Sequence, residues 1–241
     1  MFAILKKEIQ SFFASPIGYL VIGIYLLANG LFLWVFKGDF NILDYGFADL
    51  SGYYFLAPWV FIFLIPAISM KSFSEEKKQG TLELLLTKPI SSWQLVIGKY
   101  LGILSLASLA LLPTLLYIYT IYQLGNPIGN IDLGATTGAY IGLIGIAAIF
   151  SAVGLFTSAI SNNQIVAFII AILLCFILYF GFEGFAEYEL FGVSSFAIEN
   201  LGVKAHFNSI SRGVLDTRDI IYFISISAFF LFLTKLTLSK Q

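Results

Sequence analysis

Residues 133–182 read LGATTGAYIGLIGIAAIFSAVGLFTSAISNNQIVAFIIAILLCFILYFGF, fifty consecutive positions without a charged side chain. One bilayer crossing takes about 20 apolar residues, so this run is too long for one span and long enough for two. The polar tetrad Ser161-Asn162-Asn163-Gln164 near its middle is where the chain can turn. A polytopic helical membrane protein follows, and the remaining sequence agrees. Of its 241 residues, 59% are hydrophobic and 11% charged, against about 25% charged in a soluble domain.

Working outward, four further charge-poor runs define the other spans. Ser11–Phe36 holds the first, beginning near Pro16. Leu50–Met70 is the second and contains Pro58 and Pro66. Trp93–Tyr122 is the third, with Lys99 near its start and Pro113 as an expected kink. After spans four and five, Ile220–Thr234 is the sixth, with Lys235 able to snorkel at its end. Lys6 and Lys7 could head a signal peptide. The apolar run behind them is too long for one and lacks a small-x-small site, so it reads as a retained span.

Six spans place both termini on one side. That side carries nine cations against four acids, and the other carries four against ten. The Lys/Arg bias then makes the first side, with both termini, cytoplasmic. The long outer loop, 183–219, mixes Val193, Phe196, Ile198, Leu201, Val203, Phe207, Ile210, Val214 and Leu215 with polar residues. That mixture suits short helices at the outer interface, or an ordinary extracytoplasmic loop.

Several function classes lose support. No ionisable residue lies near the middle of a span, which argues against ion-coupled carriers and proton pumps. The chain has no HExxH, GxSxG or Walker A sequence, so it is expected to bind no nucleotide itself. One cysteine, Cys175, and one histidine, His206, leave no basis for a Cys/His metal site. Cys175, inside an apolar run, is expected to be packed and inert. Gly134, Gly138 and Gly142 form a GxxxGxxxG stripe into span four, and Gly98 and Gly102 repeat it on span three. Such stripes allow close helix approach, within the chain or at a subunit interface. Asn29 in span one is expected to hydrogen-bond between helices rather than to contact substrate.

Charge instead concentrates between spans two and three, in Ser72–Lys99, SFSEEKKQGTLELLLTKPISSWQLVIGK. Ser72-x-x-Glu75 fits a capping box that starts a short helix, and Gly80 can close it. Thr81 can cap a second helix, Leu82–Thr87, with Leu82, Leu85 and Leu86 on one face. Lys88-Pro89 ends it. Ser91-x-x-Gln94 is another capping box and launches span three, with Trp93 at the interface. Two readings stand here: a solvated loop, or a pair of helices that dock a soluble partner.

The stretch from Phe73 to Pro89, FSEEKKQGTLELLLTKP, followed by Gly98-Lys99, resembles the signature of the ABC-2 type permeases. The N-terminal Lys6-Lys7-Glu8 with Phe12-x-x-Ser15-Pro16 is similar too. So is the outer His206-Phe207-x-Ser209-x-x-Arg212-Gly213-Val214-x-Asp216 before the last span. The likeness runs over the whole chain as one transmembrane domain, and is greatest to the GldF subfamily of gliding-motility-associated permease subunits.

The resemblance implies an all-α, six-span permease fold (type V exporter-like). It also implies an interfacial helix over residues 1–15, a cytoplasmic coupling helix within 71–92, and re-entrant outer helices within 183–219. Glu75, Glu76, Gly80, Thr81, Glu83 and Pro89 would lie at or near a separate ABC ATPase. ATP and Mg would bind on that ATPase, GldA-like in this subfamily, and the permease would hold no cofactor and catalyse nothing. The other permease half would be a GldG-like subunit with an extracytoplasmic domain, or a second copy of the chain. Three functions remain in view: a half of an ATP-driven exporter, a structural or regulatory membrane subunit acting on an envelope protein, and a channel or carrier needing no ATPase.

Overall fold

The structure, a computed structural model, describes residues 1–87, 89–187 and 198–239. Lys88, Val193, Phe196 and Lys240 therefore lie outside the described residues, as do the side chains of Leu84 and Leu86. The described residues contain no strand. The helices are α1 (Phe2–Phe13), α2 (Pro16–Gly30), α3 (Ile42–Tyr45), α4 (Ser51–Ser69), α5 (Ser74–Lys78), α6 (Thr81–Leu86) and α7 (Ser92–Leu111). Then come α8 (Leu115–Leu124), α9 (Leu133–Ile160), α10 (Gln164–Phe176), α11 (Phe182–Glu187), α12 (Val203–Ile210) and α13 (Thr217–Leu238).

Six helical stretches are long and apolar enough to cross a membrane, beginning at Gly18, Ser51, Ser92, Leu133, Gln164 and Thr217. The turn in the uncharged run falls at 161–163. There the Asn163 side chain accepts from the Ile165 N–H at 2.9 Å and caps α10. Pro113 converts Leu112–Thr114 to a 3-10 turn and divides span three into α7 and α8. The sixth span is longer than the charge-free window suggested. Asp216 caps α13 through the Arg218 N–H, so Arg218 and Asp219 fall inside its first turn, and Lys235 falls in its last. Charges of those signs at those ends suit the helix dipole only in part: Asp219 and Lys235 agree with it, and Arg218 does not.

α9 is the centre of the bundle. In its apolar window 72% of residues are buried, against 22% for α10–α11 and 22% for α13. Glycine makes this possible, because lipid provides little hydrophobic drive and helices associate by close packing. A Cβ on Gly154 would strike the Ser69 side chain of α4, and one on Gly145 would lie 2.9 Å from the Phe223 ring of α13. α4, α9 and α13 run in one direction. Tyr53 faces Tyr140 at one end of α4 while Ser69 faces Gly154 at the other, and Phe223 and Phe230 of α13 meet Gly145 and Phe156 in order along α9. α7 runs the opposite way. Both termini therefore lie at one end of the bundle, called here the terminal end, and α12 lies at the far end.

The polar groups inside the bundle are joined. The Tyr25 and Tyr53 hydroxyls are 2.9 Å apart. Tyr53 also donates to Thr114 Oγ1 at 2.9 Å, and Tyr140 donates to the Thr114 carbonyl at 2.9 Å. Asn29 does not join this chain of hydroxyls. Contrary to the interhelical bond expected of it, its amide donates to the Tyr25 carbonyl one turn back in α2, at 2.8 Å. A carbonyl one turn back in the same helix is within reach of the amide, and Asn29 Oδ1 has no partner among the described residues. Cys175 is fully buried, as expected of a packed thiol.

Candidate functional site

The charged segment folds as two short helices, α5 and α6, joined by Gly80. Its φ of +68° is the left-handed conformation that glycine adopts without steric cost. Glu75 and Glu76 in the first turn of α5 and Lys77 and Lys78 in its last follow the helix dipole. Two of the predicted caps are replaced. Ser72 does not cap α5. The residue before the helix is Phe73, at φ −114° and ψ −33°, helical rather than extended, so no capping box can close from Ser72. Gly80 takes the position before α6, which makes Thr81 its first helical residue, with Oγ1 donating back to the Glu76 carbonyl at 3.2 Å. The Ser91–Gln94 box forms as predicted, with both reciprocal bonds at 3.2 Å.

The cap of α5 comes from another helix. Ser158 of α9, fully buried, accepts from the N–H groups of Phe73 at 2.8 Å and Ser74 at 3.1 Å, and donates to the Met70 carbonyl at 3.0 Å. A hydroxyl offers one donor and two acceptor sites, so all three are used. In return, Lys77 of α5 donates to the Ala159 carbonyl in the last turn of α9, where carbonyls lack helical partners. Each helix thus closes one end of the other.

Beneath α5 lies a buried cluster of charges. Lys99 of α7 is 1% exposed. Its ammonium donates to Glu8 of α1 at 2.7 Å and to the Ser72 carbonyl at 2.6 Å. It lies 3.1 Å from Glu76 Oε2, close enough for an ion pair although outside hydrogen-bond alignment. It also sits 4.9 Å from the centre of the Phe73 ring. Lys7 closes the cluster on Glu76 Oε1 at 3.1 Å. Lys7 reaches in from the surface, its side chain 60% exposed, and the carboxylates of Glu8 and Glu76 are what allow the Lys99 charge to be buried. Gly98 and Gly102 let α1 settle onto α7: a Cβ on Gly98 would meet Ile4 at 3.0 Å, and one on Gly102 would meet Glu8 at 2.8 Å. Beside the cluster, a cleft of about 570 Å³ opens between α1 and α5–α6.

The six residues singled out in this segment divide between two faces. Gly80, Glu83 and Pro89 are exposed, and Glu75 and Thr81 are half-buried. Glu76 is buried and faces Lys99. Leu82 is buried and Leu85 half-buried, so the apolar side of α6 turns toward the bundle.

At the far end, the glycine stripe meets α12 of the same chain. A Cβ on Gly138 would collide with the Ile210 carbonyl, and one on Gly142 would lie 2.7 Å from the Phe207 ring. A Cβ on Gly134 would meet only Asp132 Oδ1, at 3.2 Å. Gly213, at φ +87°, brings the turn after α12 to within 2.9 Å of the Gly134–Ala135 peptide, measured from where a Cβ would stand. His206 pairs with Asp219 at 2.6 Å, bonds the Asn200 carbonyl at 3.0 Å and stacks on Tyr222 at 3.9 Å. Asp216 serves as the α13 cap, and Arg212 is exposed. The outer motif therefore holds α12 on α13 and α9.

Sequence reasoning did not foresee Ser158, Lys77 as a cap, or the pairing of Glu8 with Lys99. A lysine inside an apolar span was the available signal, because a buried ammonium requires partners. Its partners lie 91 and 27 positions away, where no local pattern points. Among the described residues, no three His, Cys, Asp or Glu side chains gather as metal ligands.

In comparison with known proteins, a family model described as ABC-2 family transporter protein matches residues 2–238. No curated protein matches the chain.

Proposed function

The chain belongs to the ABC-2 family of transporter proteins, and from that premise we propose that it couples ATP hydrolysis on a separate ATPase to movement of its six-span bundle. Membership makes it a multi-pass membrane permease subunit of an ABC transporter, a class that works with an ABC ATPase. The proposal adds where the two meet. The ATPase, which would hold ATP and Mg, docks on the exposed tip formed by Gly80, Glu83 and Pro89, with Glu75 and Thr81 at its margin. The observation that carries this reading is the two-sided build of α5–α6: one face is bonded into the bundle through Ser158 and Glu76, and the other is exposed. An element of that kind passes force inward from whatever binds it. Glu76 is then the link to Lys99 and α1 rather than a contact.

The same reading puts the terminal end in the cytoplasm of a bacterium with the bundle in its inner membrane, as the Lys/Arg bias supports. The finer assignment is to a gliding-motility complex of the GldF type, with a GldA-like ATPase. Its second half is a GldG-like subunit or another copy of the chain. The motifs at Phe73–Pro89 and His206–Asp216 support it.

The test is purification of the tagged chain in mild detergent, with identification of co-purifying proteins. Recovery of a P-loop ATPase, lost on Glu83→Lys, is expected. A large subunit with an extracytoplasmic domain is expected beside it if the complex is of the gliding type. Recovery of the chain alone, in vesicles that transport without ATP, would overturn the proposal.

A further inference from the structure

Four of the six spans are interrupted. α2 passes into a π-helical turn at Leu31–Val35, and α10 into another at Ile177–Gly181. α4 contains Pro58 and Pro66, and span three breaks at Pro113. Each proline removes a donor from the helical ladder and each π-helical turn shifts its register, and such places are where helices commonly bend. α9 runs 28 residues and α13 runs 22 without one. The glycines of α9 do not free it to bend, because Gly138, Gly142, Gly145 and Gly154 are each pressed against a neighbour.

α9 is also the helix with built contacts at both ends. At the terminal end, the Ser158 hydroxyl makes three hydrogen bonds to the start of α5 and the turn before it, and Lys77 bonds the Ala159 carbonyl. At the far end, the lack of a Cβ on Gly138 puts the Ile210 backbone against the α9 backbone, with no side chain between them to yield. α4 is covalently continuous with the α5 segment, but its two prolines make it a poor rod.

We propose that α9 carries displacement of the α5–α6 element to α12 at the far end, with Ser158 and Lys77 as positioning residues at the joint. This rests on the reading of α5–α6 as the coupling element. Movement of α5 then shifts α9 and α12 as one body, while α8, beyond the Pro113 break and sparsely packed, does not follow.

The test compares distance distributions between spin labels in the full chain, reconstituted in lipid, in a Cys175→Ala background. Labels at Lys78→Cys and Asn208→Cys, both exposed, span α5 to α12; labels at Lys78→Cys and Tyr119→Cys span α5 to α8. The first distribution is expected to be narrow and the second broad. Ser158→Ala, and independently Lys77→Met, are expected to broaden the first to the width of the second. Ser151→Ala, which removes a buried α9 hydroxyl that has no hydrogen-bond partner among the described residues, is expected to leave it narrow. Equal widths in the parent chain, or no broadening in either joint variant, would overturn the proposal. None of these readouts needs an ATPase, so failure to recover one sinks the proposed function while the widths decide this inference separately. With the ATPase present and trapped by ATP and vanadate, the 78–119 distance is expected to shift while the 78–208 distance stays fixed. Equal shifts would overturn the rod.

Discussion

Lys99 and Glu8, 91 positions apart, are joined by a 2.7 Å ion pair that fastens the N-terminal helix to the start of span three. The same ammonium reaches the Ser72 carbonyl and Glu76, so one side chain holds α1, α5 and α7 together. The lysine is the fully buried member, its side chain 2% exposed, so removing its carboxylate partners would leave the ammonium charged and dry.

Lys99→Met is therefore expected to cost about 3 kcal/mol, because it strands Glu8 and leaves Glu76 with Lys7 alone. Replacing Glu8 and Glu76 by Gln in the same chain should recover most of that loss. Thermal unfolding in detergent measures both. Equal melting of the single and triple variants would show that charge burial is not the cause.

Gly80→Pro is expected to leave membrane insertion intact and to dislocate α6. Proline cannot adopt the +68° φ found here, and it deletes the N–H that bonds the Lys77 carbonyl at 3.1 Å. Protease sensitivity of the 79–87 segment should rise. An unchanged digestion pattern would contradict the turn assignment.

Glu83→Lys separates docking from folding. Glu83 is exposed, so stability should change by less than about 0.5 kcal/mol. Capture of the ATPase should fall sharply. Wild-type capture at wild-type stability would remove Glu83 from the contact.

Gly138→Leu is expected to displace α12, since the added side chain must occupy the place of the Ile210 backbone. Overpacking of this kind costs about 2 kcal/mol, and hydrogen exchange over residues 203–210 should accelerate. Gly134→Leu, at the stripe position without a partner helix, should be much milder. Equal effects would show that the stripe acts elsewhere.

Asp219→Asn is expected to loosen the same helix from its other side. It replaces a carboxylate, 5% exposed and 2.6 Å from His206, with a neutral amide. A charge-assisted bond contributes about 2 kcal/mol. Release of the Tyr222 ring from His206 can be followed by exchange over residues 198–210, and unchanged exchange would discount the pair.

The parts of this fold that were legible in the sequence are those whose partners are close in sequence. The turn at Ser161–Asn163, the break at Pro113, the Ser91–Gln94 box and the left-handed Gly80 each depend on atoms within a few residues. Ser72 satisfied the same kind of local rule and failed, because a hydroxyl from 85 positions away already holds the Phe73 N–H and the chain enters α5 without an extended residue. The sixth span looked short because a charge-free window ends at Asp219 and Lys235, although both fit inside a helix capped by Asp216. In the candidate site, the exposed residues carried a pattern. The residues that hold the element in place did not.

The hydroxyls of Tyr25, Tyr53, Thr114 and Tyr140 have a meaning for biosynthesis. Tyr25 and Tyr53 can pair as soon as the second span is made, but Tyr53 must wait for 61 further residues before Thr114 exists, and Thr114 for 26 more before Tyr140 reaches it. Until the third span is in place, the Tyr53 hydroxyl lacks its Thr114 acceptor. The Tyr53–Thr114 bond ties the register of span two to span three, and the Tyr140–Thr114 bond ties span three to span four, since sliding by one turn would leave hydroxyls stranded among hydrocarbon. The chain of hydroxyls thus links the four spans in the order in which the sequence supplies them.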